Sequence, residues 1–111
     1  MMHVTRNSIG KVIEILKRRL KEMLGLEIIL DTYSLTKYKK RYLQLLIDQP
    51  EKAYNILVEV LGGSKNSANL ILRYLLQPLV EDQRILDEAL EELEKGNPEP
   101  LKQLLVTPLM M

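Results

Sequence analysis

The stretch DQPEKAYNILVEVLGGSKNSANLILRYLLQP, residues 48–78, decides the fold. Pro50 stands where a first helical turn tolerates its missing amide, with Asp48 before it as an acid cap and Glu51 three residues after that cap. Ala53, Ile56, Leu57, Val60 and Leu61 then recur at helical spacing, and Gly62-Gly63 halts the run. Ser64 opens a second helix whose apolar positions are Ala68, Ile71, Leu72, Leu75, Leu76 and Leu79, with Leu70 and Tyr74 widening the face. A helical hairpin with so little polar surface belongs at the centre of a bundle.

Outward from this hairpin the same period continues. A first helix is predicted over about Ser8 to Leu24, its stripe formed by Ile9, Val12, Ile13, Leu16, Leu20, Met23 and Leu24. Gly25 stops or bends it. A second stretch from Leu26 sets Leu26, Ile29, Leu30 and Tyr33 on one side and reaches the basic run Lys37 to Arg41. Beyond the hairpin, Pro78 ends or kinks its helix. A further helix over about Leu79 to Lys95 turns Leu86, Ala89, Leu90 and Leu93 inward, with Glu91 placed to pair with Lys95. Gly96 closes it, and Asn97-Pro98 opens a short last helix carrying Leu101, Leu104 and Leu105. No stretch alternates with period two. The expectation is an all-α, compact bundle of five to six helices in a single domain over residues 1–111, with tails at 1–7 and 107–111.

Composition supports one self-sufficient core. At 111 residues, 46% hydrophobic and 28% charged, the chain suits a single globular domain. It has no Cys, Phe or Trp, so five Tyr are its only aromatics and the core must be built from Leu, Ile and Val. No run approaches the about 20 apolar residues that a membrane span needs, and no apolar signal segment is evident, which points to the cytoplasm.

Catalytic and metal chemistry find little to work with. One His, His3, cannot assemble a triad or a zinc cluster, and no cofactor motif appears. Glu88, Glu91, Glu92 and Glu94 read as solvated helix surface rather than a cation site. Gly62-Gly63-Ser64-Lys65 lacks Walker spacing and follows a helix, so turn and cap chemistry explains it. A non-enzymatic function is the expectation.

Three surfaces remain as candidates for a partner. Leu70 and Tyr74, with the apolar C-terminal residues Leu109, Met110 and Met111, suggest an interface with another protein or a second copy, hence a homo-oligomer. Lys65, Asn66, Asn69 and Arg73 occupy the positions that would face DNA if Leu61 to Ile71 were the turn and recognition helix of a helix-turn-helix. Only two of those four are basic, however, and their half of the chain is acidic. Residues 1–42 hold ten Lys/Arg and four acids, a balance of +6, whereas the rest holds six and eleven, a balance of −5. Lys37, Lys39, Lys40 and Arg41, flanked by Tyr38 and Tyr42, form the best anion patch.

Residues from about 10 to 80 also resemble a small archaeal all-helical domain family of unknown function, the Nitrosopumilus output-domain type. The likeness lies in Leu24-Gly25, Lys40-Arg41-Tyr42, Asp48-Gln49-Pro50-Glu51-Lys52-Ala53-Tyr54, Leu61-Gly62-Gly63-Ser64 and the Leu-rich segment Leu70 to Leu76. Leu43 stands where the family usually has Gly, and the helix after Pro78 goes beyond its pattern. The resemblance implies an archaeal source and a regulatory or interaction module, and it brings no catalytic residues.

Overall fold

The corner between the second and third helices is held by a serine. In the computed structural model, which describes residues 3–23 and 25–106, α1 spans His3–Lys21 and α2 spans Leu26–Tyr38. Helix α1 starts ahead of the expected Ser8. It ends in two tight turns, where Glu22 N–H donates to Arg19 and Met23 N–H to Leu20, before Gly25 takes a φ of 77°. Helix α2 stops at Lys39, a non-glycine residue in the left-handed region at φ 63°. Ser34, wholly buried, donates its hydroxyl to the Lys40 carbonyl at 2.6 Å and fixes the exit. Tyr42 N–H then donates to Asp31 Oδ1 at 2.8 Å, and the chain re-enters helix as α3, Tyr42–Asp48.

That break accounts for the difference from the expected five to six helices. Among the described residues there are seven α-helices and no strand. The remainder are α4 (Pro50–Val60), α5 (Lys65–Leu76), α6 (Gln83–Glu94) and α7 (Glu99–Val106), with a 3₁₀ turn at Gln77–Leu79. Asp48 does not cap α4, as its position suggested. It is the last residue of α3, its carboxylate taken by Lys40 and Gln44, and Gln49 stands at the cap without a side-chain bond.

The other punctuation behaves as its chemistry dictates. Gly63 N–H reaches back to the Val58 carbonyl at 2.8 Å with both glycines at positive φ, a Schellman closure. Ser64 Oγ accepts from Ser67 N–H at 3.1 Å and starts α5. Pro78 sits in the 3₁₀ turn, Val80 is extended, and Asp82 rather than Leu79 begins the next helix by accepting from Arg84 N–H. A second Schellman closure, Asn97 N–H to Glu92 at 2.8 Å, ends α6 at Gly96. Lys95 approaches Glu92 rather than Glu91.

The α4–α5 hairpin is packed on several sides. Helix α4 meets α2, α3 and α6, and α5 meets α1 and α6, while α7 packs on α6, α1 and α3. The Cα radius of gyration is 13.2 Å, close to the about 13 Å of a well-packed chain of this length. Leucines from all seven helices fill the core. The exceptions in size are Tyr42, without exposed surface and with its hydroxyl on the Ala53 carbonyl at 2.9 Å, and Tyr54. Burial pushes the Tyr42 phenol far above its ordinary range, so it stays protonated.

Two substitutions test the corner in opposite senses. Ser34→Ala leaves the part-buried Lys40 carbonyl without its partner and is expected to cost about 1 kcal/mol. Lys39→Gly relieves the left-handed strain and is expected to stabilise by about 0.5–1 kcal/mol. Urea midpoints at unchanged slope measure both.

Candidate interaction surfaces

The basic run after α2 is met by acids from three helices. Lys37 Nζ lies 2.7 Å from Glu59, Lys40 Nζ 2.9 Å from Asp48, and Arg41 Nη1 3.4 Å from Asp31. The Glu59 bond raises the Lys37 ammonium above its usual range, and the Lys40 bond lowers the Asp48 carboxyl below its own. Only Lys39 of this set lacks an ionic partner among the described residues. Tyr42, expected to flank the patch as a stacking ring, is in the core and unavailable.

The four residues in the helix-turn-helix positions divide into two pairs. Lys65 and Asn66 are exposed at the start of α5. Asn69 Nδ2 donates to Glu94 at 3.0 Å and Arg73 pairs with Asp87 at 2.8 Å, so α6 engages both. Of the expected partner interface, Leu70 is 62% exposed. Tyr74 is held against α1: its hydroxyl donates to Glu22, Arg19 lies over its ring at 4.4 Å, and Arg19 Nη1 donates to its carbonyl at 2.9 Å. Leu109, Met110 and Met111 lie outside the described residues.

A fourth surface escaped the sequence reading. On α2, Ile28 is 71% exposed, Ile29 45% and Leu35 43%, so Ile29 faces away from the core side assigned to it. Ile28, Thr32 and Leu35 fall at i, i+4 and i+7 on one face, with Ile29 and Thr36 beside them. Thr32 and Thr36 are exposed too, and Thr32 spends its hydroxyl on the Ile28 carbonyl at 2.8 Å. The arc carries no charge. Glu27 and Asp31 fall on other sides of the helix, and Lys37 borders the arc, sharing a recess with Thr32 and Thr36. Charge depletion on the outer face of α2 was present in the sequence, but a stripe is read as core until a second apolar stripe is seen opposite it.

Recesses complete the surface, among them one of about 210 Å³ lined by Thr32, Tyr33, Thr36 and Lys37. A cleft of about 130 Å³ between α1, α2 and α3 mixes Lys17 and Arg41 with Glu27 and Asp31. A groove of about 440 Å³ runs between α6 and α7. Among the described residues no group of three or more His, Asp or Glu is placed to hold a metal ion, and no helix is long and apolar enough to cross a membrane. No family model, curated protein or solved structure matches the chain.

The Lys40–Asp48 pair makes a pH prediction. A carboxyl lowered in the folded state adds stability above its unfolded value, about 3.9, and that contribution is lost as pH falls through the folded value. Asp48→Asn should therefore flatten the acid limb of stability against pH. At neutral pH its cost should stay below about 1 kcal/mol, because both side chains are more than a third exposed. Denaturant midpoints followed through the acid range check this.

Proposed function

We propose that this chain is a non-enzymatic protein-interaction module that pairs with a second copy of itself through the outer face of α2. The uncharged stripe of Ile28, Thr32 and Leu35, flanked by Ile29 and Thr36, carries the reading. Solvent-facing helix surface is ordinarily charged, and a contiguous apolar strip on a small domain marks a contact surface.

The stripe suits a two-fold contact. An interface between identical patches must be compatible with itself, and an uncharged face raises no conflict of like charges when it meets its own copy. Ile28 precedes Thr32 by four residues and Leu35 follows it by three. An antiparallel pairing centred on Thr32 thus sets Ile28 of one protomer against Leu35 of its partner. Five side chains are few against the about 20–30 residues that a stable interface uses on each side. The pairing is therefore weak and concentration-dependent, as befits a module that assembles and releases. A regulatory role of the kind implied by the resemblance over residues 10–80 is consistent with such reversibility.

The test is mass against concentration. Multi-angle light scattering of the full chain should show average mass rising towards a dimer, and Ile28→Glu with Leu35→Glu should hold it at the monomer value. Since both positions are exposed, the double variant should unfold within about 1 kcal/mol of the parent. A parent that stays monomeric at the highest attainable concentration would refute the proposal.

A further inference from the structure

A second, independent surface lies on the far half of the chain, in the groove between α6 and α7. Ile85, Glu88, Ala89 and Glu92 share one side of α6, Ile85 standing three residues before Glu88 and four before Ala89, with Glu91 beside them, and Pro100, Gln103 and Leu104 answer from α7. Ala89 is buried, Pro100 and Leu104 are half-buried and Ile85 is 47% exposed, so the recess has an apolar floor and lip. Three carboxylates line it, and no Lys or Arg does.

The acids of α6 are divided by direction. Those turned towards α5 have partners: Asp87 meets Arg73, and Glu94 accepts from Asn69. Glu88 and Glu91, on the groove, have none among the described residues. Glu92 has only Lys95 at 3.7 Å and the Asn97 amide at 3.1 Å, both from the helix's own exit. Like charges three and four residues apart repel, and Lys95 at the C-cap of α6 approaches Glu92 but neither Glu88 nor Glu91. A cation seated in the groove relieves that repulsion.

From this we infer that the α6–α7 groove is a docking site for a basic segment of another protein, anchored by one apolar side chain. At about 440 Å³ the recess accommodates a leucine-sized group together with the aliphatic stem of a flanking Lys, whose ammonium then reaches Glu88 or Glu91. A second copy of this chain fits less well. Its exposed cations Lys11, Lys17, Arg18 and Lys21 lie on α1, whose apolar side chains Val12, Leu16 and Leu20 are spent in its own core and supply no anchor, and the unpaired Lys39 and Lys65 stand singly at helix ends. Nucleic acid is repelled by the same carboxylates.

The experiment is fluorescence anisotropy of a labelled peptide carrying Leu flanked by Lys at three- and four-residue spacing, titrated with the full chain at low salt. Saturable binding that weakens steeply as salt rises is expected. Glu88→Gln with Glu91→Gln should weaken it roughly tenfold while leaving the fold intact, since Gln removes repulsion without changing size. Ile85→Ser should weaken it as well. The Ile28→Glu, Leu35→Glu variant should bind like the parent, so failure here and failure of self-pairing through α2 are separately visible. Absence of binding at low salt overturns the inference. So does equal binding of a peptide with Glu in place of Lys, displacement by spermidine as effective as by unlabelled peptide, or self-association lost on the Glu88 and Glu91 substitutions.

Discussion

One buried hydroxyl sets the orientation of the N-terminal half of this molecule. Ser34 has no exposed surface, and its bond to the Lys40 carbonyl ends α2, turns the backbone and starts α3. With the chain turned there, Leu30 and Ser34 must face the core, which sends Ile28 and Leu35 outward. The same turn brings Lys37, Lys40 and Arg41 within reach of Glu59, Asp48 and Asp31. An uncharged outer face and a neutralised basic run thus follow from one local constraint. Had α2 continued straight through Lys39, the cations would have projected together as the sequence suggested.

Charge in this protein is settled at short range. The halves carry +6 and −5, yet the described ion pairs are formed within one helix and its caps, across one turn, or between helices in contact. Solvent and salt screen distant charges, so formal balance over a half-chain says little about the field at any one spot. What matters is which groups remain without a counter-ion. On α6 those include Glu88 and Glu91 of the α7 groove, and on α1 they are Lys11, Lys17, Arg18 and Lys21 of its outer side.

Much of the architecture was legible because its signals are chemical and local. Gly62-Gly63, Ser64, Gly96 and Asn97-Pro98 each act through backbone geometry or one hydrogen bond, and each stands where the residue type implied. The α2–α3 corner was not legible. Lys39 adopts a conformation that its side chain disfavours, held there by Ser34 from five residues away, and neither residue advertises a break. Asp48 looked like a cap for the proline helix, but an ion pair with Lys40 was the stronger claim on its carboxylate. Site residues were harder still. Arg73 and Asn69 share a face of α5, but their side chains answer to α6, and that contact depends on the direction in which the chain returns after Pro78. Ile28 and Leu35 were hidden by the opposite error, since apolar residues at helical spacing are assigned to the interior by default.

The burial of Tyr42 has an optical consequence. Without Trp or Phe, every near-ultraviolet signal of this chain comes from five phenol rings. Tyr42 and Tyr54 are enclosed, one with its hydroxyl on a carbonyl and the other with a hydroxyl that has no partner among the described residues. Tyr33, Tyr38 and Tyr74 sit nearer water. Circular dichroism in this band is therefore weighted towards two fixed chromophores on α3 and α4. Loosening of that region would dim the spectrum even while the backbone signal of the helices persisted.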